Sequence, residues 1–190
     1  MLRLRLALRL HYPLPIIGNM NKTAIYLLVL LTMIFSSCST DISESEVYQI
    51  LNQVIADNKL QVNRVCQDFK SVHLKNEYKE EFSKDLEFIK KQKEKFSGLK
   101  IEPNKLKYYN ERTGNYNFIE VDTTCSEGFL YHISLPIVSE DRQKVLIEFN
   151  EDCNCLLGGQ GSKELYVRRN GRWQKEKSFD RWISLEGSIK

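Results

Sequence analysis

The apolar residues of this chain change period partway along, and that change constrains the fold more than any other feature. Up to Phe96 they recur at helical spacing, and from Leu106 onward they alternate. Ser43-Glu44-Ser45-Glu46 has the form of a capping box. Val47, Ile50, Leu51, Val54 and Ile55 follow on one face, predicting an amphipathic helix that ends near Asn58. Leu60 to Leu74 shows no period. A second helix is predicted over Glu77–Ser97, with a break near Ser83. Phe82, Leu86, Ile89 and Phe96 share one of its faces, and Gly98 is placed to stop it. Its acids come early and its lysines (Lys90, Lys91, Lys93, Lys95) late, which complements the helix dipole and reads as a solvated end.

Strands are predicted at Leu106–Tyr109, Tyr116–Val121, Phe129–Ile137, Lys144–Glu151, Lys163–Arg169 and Arg172–Phe179. Asn170-Gly171 is a strong hairpin signal, because both residues tolerate the positive φ of a tight turn. It sets Arg168 opposite Trp173, Tyr166 opposite Lys175 and Glu164 opposite Lys177. Helices followed by strands predict an α+β fold: two N-terminal helices packed on a C-terminal antiparallel sheet. Directly opposed residues share a face, so alternation leaves only registers two residues apart. A short turn around Asp141 sets Leu135 opposite Val145, Ile133 opposite Ile147, and His132 opposite Glu148. Extended, this register sets Cys125 opposite Cys155, and a two-residue slip would set Cys125 opposite Leu157.

Residues 20–37 have the architecture of an export signal. Lys22 precedes the apolar run Ala24–Phe35, which is shorter than the roughly 18–20 residues of a spanning helix. Phe35-Ser36-Ser37-Cys38 then resembles the lipobox of bacterial lipoproteins, with Phe35 where leucine is usual. The resemblance implies cleavage before Cys38, diacylglycerol on its thiol, and anchorage to a membrane. Ser39 after the cysteine implies the outer membrane, facing periplasm or cell surface. Residues 1–19 precede a signal with its own methionine, so translation is expected to start at Met20. Residues 38–46 are then a short tether, 47–184 one α+β domain, and 185–190 a tail. The net charge of +3 includes four basic residues before Cys38. Without them, 25 acidic residues slightly outnumber the remaining basic ones, which argues against a nucleic-acid partner.

With Cys38 lipidated, Cys66, Cys125, Cys153 and Cys155 remain, an even number that suits disulfides in an exported protein. The register favours Cys125–Cys155, leaving Cys66–Cys153, and the swapped pairing stays open. A bridge between Cys153 and Cys155 spans one residue and ranks last because it is strained. The functional alternative is a thiol-redox or thiolate-metal pair at Cys153 and Cys155, for which zinc would want further ligands.

No cofactor, metal ligand or catalytic residue is called for. A hydrolase alternative rests on His132 and Glu148, with Ser134 nearby. His73 carries no pattern. Glu151–Ser162 is the least generic stretch, and Cys153, Cys155, Gly158, Gly159 and Gly161 are its candidate ligand loop. The glycines lead into a strand, not a helix N-terminus, so they do not make a phosphate cradle. Trp173 and Trp182 are a candidate patch for an envelope protein or a glycan. The C-terminal third also resembles small lipoproteins of Bacteroidota, through Ile133–Pro136, the cysteine–glycine loop, Asn170-Gly171-Arg172-Trp173 and Trp182-Ile183-Ser184. That resemblance implies an envelope location and no activity. The expectation is a non-catalytic binding or structural accessory protein.

Overall fold

The computed structural model describes residues 41–184, apart from 73, 126–127 and 154–157. The first helix, α1, spans Glu44–Asp57. Ser43 caps it: its Oγ accepts the Glu46 N–H at 3.2 Å. The Glu46 carboxylate is engaged by Arg142 Nε at 3.1 Å. Val47, Ile50, Leu51, Val54 and Ile55 are all buried, as their spacing requires. Ile42 is buried too, so the folded unit starts earlier than the expected boundary at Val47.

The second helical region is interrupted. A single turn, α2 (Asn76–Lys79), runs into a 3-10 turn at Glu80–Phe82, and α3 follows at Leu86–Lys95. Phe82 and Ile89 are buried as expected, but Leu86 is exposed. In one continuous helix the three would share a face; the turn at 83–85 rotates Leu86 outward. Gly98 takes φ +80° just past α3, where a side chain would be strained.

The strands are β1 (Arg64–Cys66), β2 (Lys107–Asn110), β3 (Asn115–Phe118), β4 (Glu120–Asp122), β5 (Phe129–Ile133), β6 (Ile137–Val138), β7 (Lys144–Cys153), β8 (Gln160–Arg169) and β9 (Arg172–Ile183). Strands β2 and β3 form a separate hairpin. The others make a seven-stranded sheet in the order β4-β1-β5-β7-β8-β9, with β6 also on β7. The fold is therefore α+β, but the sheet is mixed: β1 runs parallel to both β4 and β5. That strand lies in the aperiodic stretch. It is three residues long with Val65 and Cys66 both buried, so no alternation could reveal it.

Two registers differ from expectation. Strands β5 and β7 pair two residues further along, with Ile133 opposite Phe149 and His132 opposite Asn150. Beyond Ile133, β6 resumes with Ile137 opposite Leu146 and Val138 opposite Val145. One extra residue is therefore absorbed on the β5–β6 side, around Ser134–Pro136, where Pro136 has no N–H to give to a ladder. In the last hairpin Asn170 and Gly171 take φ +52° and +77°. Arg168 faces Trp173 and Tyr166 faces Lys175 as expected. A bulge between Leu165 and Tyr166 then puts Ser178, not Lys177, opposite Glu164. Lys177 instead pairs with Glu81.

The sheet buries both faces. On one, Val145, Ile147, Tyr166 and Trp173 join the apolar stripe of α1. On the other, Leu146, Leu165 and Ile137 join Tyr78, Phe82 and Ile89. Each large side chain so buried contributes roughly 1.5–3 kcal/mol. Trp173 is 1% exposed; its backbone N–H donates to Asp57 Oδ2 at 2.8 Å and its indole Nε1 to Gln53 Oε1 at 3.3 Å. It is a core residue, not half of a surface patch with Trp182.

Candidate functional site

Four strand ends meet at one end of the sheet. Tyr131 of β5 faces Glu151 of β7, Glu151 faces Gln160 of β8, and Gln160 faces Ile183 of β9. Along β7 the α1-side face reads Val145, Ile147, Phe149, Glu151; along β8 it reads Tyr166, Glu164, Ser162, Gln160. Apolar near α1, this face becomes polar toward the open end. There it forms a concavity of about 370 Å³, lined by Tyr131, Phe149, Glu151, Ser162 and Glu164 and bordered by Arg181–Ile183. A smaller hollow of about 160 Å³, lined by Phe129, Gly158 and Gly159, shares Glu151, Gln160 and Ile183 with it. Phe129 and Ile183 are 57% and 67% exposed, and Trp182 is exposed as well.

The polar side chains are held in place. Gln160 Nε2 donates to Glu151 Oε2 at 2.6 Å. Burial, then the Glu151 charge and hydrogen bond, push the Tyr131 hydroxyl up to about 12, so it stays a donor at neutral pH. Glu164 is buried and accepts from Ser162 Oγ at 2.6 Å and Ser178 Oγ at 2.7 Å, with Lys175 Nζ at 3.6 Å. Ser162 thus directs its proton to the Glu164 carboxylate. Such a site offers hydrogen-bonding partners and apolar surface.

The glycines have a packing reason. A Cβ on Gly159 would stand 2.7 Å from the Glu151 carbonyl oxygen and 3.2 Å from Trp182 Cη2. One on Gly161 would stand 2.0 Å from Asn150 Oδ1 and 2.6 Å from Trp182 Nε1. The indole thus crosses β8 where there are no side chains to meet it. Gly158 takes φ +74° at the entry to the strand. Gly158 and Gly159 line the smaller hollow, and Gly161 the larger concavity. Cys155 lies outside the described residues, and Cys153 is placed only as the last residue of β7.

Cys66 and Cys125 are bonded to each other. This corrects both favoured pairings, Cys125–Cys155 and Cys66–Cys153, and leaves Cys153 and Cys155 without those partners. The cause is the parallel strand: β1 runs beside β4 with Cys66 opposite Asp122, and the chain turns back at once. Asp122 Oδ1 accepts the N–H groups of Thr124 and Cys125 at 2.8 and 3.0 Å, so Cys125 is delivered to Cys66. Among the described residues, the cluster that could hold a metal is Cys66, Asp68 and Cys125. Two of its three donor atoms are spent in the bridge.

His132 and Glu148 are not brought together, because His132 faces Asn150. Ser134 is buried and its Oγ accepts the Glu148 backbone N–H at 2.8 Å. The Glu148 carboxylate accepts from Asn150 Nδ2 at 2.7 Å and lies 3.8 Å from Lys163 Nζ. Lys163 and Lys75 both pair with Asp180, at 2.6 and 2.9 Å. Burial, then Lys70, lower the pKa of His132 against the pull of Asp152. The three side chains serve the sheet face and form no catalytic relay. His73 and Cys38 lie outside the described residues.

Glu151 and Ser162 bound the stretch that the sequence marks as least generic, but Tyr131, Phe149 and Glu164 were not assigned to a site by sequence reasoning. Their signal was available: on one face of two adjacent strands, apolar residues give way to Glu, Ser and Gln. Fold and site together define a mixed-sheet α+β domain with an open, hydrogen-bonding concavity rimmed by apolar side chains. No protein-family model, curated protein or solved structure gives a significant match to the chain.

Proposed function

We propose that this chain is a bacterial envelope lipoprotein, processed and lipidated at Cys38, whose domain is a non-catalytic binding module for a glycan. The observation that carries the binding reading is the open end of the sheet. Fixed carboxylate, amide and hydroxyl groups suit the hydroxyls of a sugar, and exposed Phe129 and Ile183 suit its apolar faces. The lipid reading rests on Phe35–Cys38 and on the short chain between Cys38 and Ile42, which would hold the domain close to the membrane. Two acyl chains on Cys38 would suffice for stable anchorage, at about 0.8 kcal/mol per buried CH₂.

The test is co-sedimentation of the purified domain with insoluble envelope polysaccharide, peptidoglycan included, and competition by soluble oligosaccharides. Binding is expected to weaken about tenfold or more in Ile183→Ala and in Glu151→Gln, with thermal unfolding little changed. Failure to bind any fraction, or binding indifferent to both substitutions, contradicts the reading.

A second reading has one specific observation in its favour. The Cys66–Cys125 bridge takes both other mature cysteines, so Cys153 and Cys155 are left for a thiol-redox or metal role. Alkylation without reduction decides it: two labels on the exported protein support the role, and none removes it.

A further inference from the structure

A second cavity, of about 270 Å³, shares no residue with the open end of the sheet. It lies between the C-terminal turn of α3, the segment 68–72 after β1, and the chain around Leu135 and Ile137. Phe69, Val72, Phe96, Leu99, Leu135 and Ile137 give it an apolar wall, and polar side chains make up the rest. At about 270 Å³ it falls just below the roughly 300–1,000 Å³ of drug-sized ligand pockets, which suits a smaller molecule. The walls are tied by backbone hydrogen bonds. Lys70 N donates to Ile133 O at 2.9 Å, Leu135 N to Lys70 O at 3.1 Å, and Ile101 N to Gln67 O at 2.7 Å. The cavity is thus preformed and does not wait on a loop.

Gln92 lines this cavity from α3 and is 3% exposed. Its Oε1 accepts the Val138 N–H at 3.2 Å. Its Nε2 is buried and has no hydrogen-bond partner. A buried amide donor without an acceptor is costly, and native proteins leave few. An apolar residue here would continue the stripe of Phe88 and Ile89 and avoid that cost. Around the same cavity stand Lys70, Lys93 and Lys100 against a single acid, Asp68, which pairs with Lys100 at 3.5 Å. Lys93 is half-buried and donates to the Val72 carbonyl. The site thus combines an apolar hollow, an unused donor and an excess of positive charge.

We propose that this cavity binds a small amphipathic carboxylate of the medium-chain fatty-acid class. The alkyl chain fills the apolar walls, a carboxylate oxygen accepts from Gln92 Nε2, and Lys93 balances the charge. A neutral alcohol of equal length would leave that charge complementarity unused and bind more weakly. The inference does not depend on the glycan reading.

The probe is octanoate, titrated into the full mature chain and followed by calorimetry and by the shift of a ¹³C-labelled carboxyl carbon, with 1-octanol as the neutral control. Octanoate is expected to bind saturably and at least about tenfold tighter than octanol. Gln92→Glu keeps an acceptor for the Val138 N–H, removes the donor and adds a like charge; it is expected to abolish the preference for octanoate. Leu135→Trp fills the hollow from a half-buried position and is expected to abolish binding of both probes. Thermal unfolding of each variant separates loss of binding from loss of fold. Absence of octanoate binding to the wild type overturns the proposal, as does binding that survives Leu135→Trp in a folded protein.

Discussion

Single atoms decide much of the geometry at the open end of the sheet. Gly161 is the sharpest case, since its missing Cβ leaves room for both Asn150 Oδ1 and the Trp182 indole. Gly161→Ala is expected to push Trp182 off β8 and lower the denaturation midpoint measurably. A fluorescence spectrum and thermal melt indistinguishable from wild type would contradict this placement of the indole. Carboxylates set the response to acid. Hydrogen bonds from Thr124 and Cys125, then Arg64, hold Asp122 below its ordinary value of 3.8, and hydrogen bonds from Lys163 and Lys75 do the same for Asp180. Bonds from Lys177 and Lys144 hold Glu81 below its ordinary 4.5. Each lowered group favours the folded state above its unfolded value, and that contribution disappears as pH falls through the folded one. Urea midpoints should fall modestly between pH 7 and about 5, where His132 takes up its proton more readily in the unfolded chain, and then drop further below about pH 4, less steeply in Asp180→Asn. A midpoint that rises on acidification would contradict these assignments.

At the scale of elements, legibility followed length and locality. Helix α1 could be read to within a residue at both ends, because its cap and stripe are local and long enough to show a period. The Asn170-Gly171 hairpin could be read for the same reason. Strand β1 could not, being three residues with no exposed face. The β5–β7 register could be read for face but not for offset. Alternation says which residues point together, whereas the offset is set by the chain's path through Ser134–Pro136 and the turn at 139–143. Serine 139 shows how that turn is closed: its N–H bonds to Lys144 O at 3.0 Å and its Oγ to Asp141 at 2.6 Å. The same missing offset explains the cysteines, since the correct bridge needed a parallel strand that no pattern marked. The Cys66–Cys125 bridge closes 59 residues. By the chain-entropy estimate its loss costs about 4 kcal/mol. A Cys66→Ser, Cys125→Ser double variant should lose stability of that order in urea unfolding, and an unchanged midpoint would contradict the pairing.

For the whole molecule, the concavity is a property of the sheet and of no single motif. Four strand ends must converge before Tyr131, Glu151, Gln160 and Ile183 become neighbours. The glycines are visible in the sequence, but the concave wall depended on register. Gln92 was invisible for a related reason: in a lysine-rich helix, one glutamine gives no sign that it points inward. The lipid anchor and the binding domain make separable claims about one molecule. Intact mass of the membrane form reports on the anchor, with residues 38–190 plus lipid expected, and an unlipidated chain contradicting it. The central claim, a glycan site at the open end of the sheet, is tested most directly by titrating soluble envelope oligosaccharides into the ¹⁵N-labelled domain and mapping the amide shifts. Shifts are expected to cluster on Tyr131, Phe149, Glu151, Gln160, Ser162 and Ile183. No saturable shifts, or shifts clustered away from these residues, would contradict it.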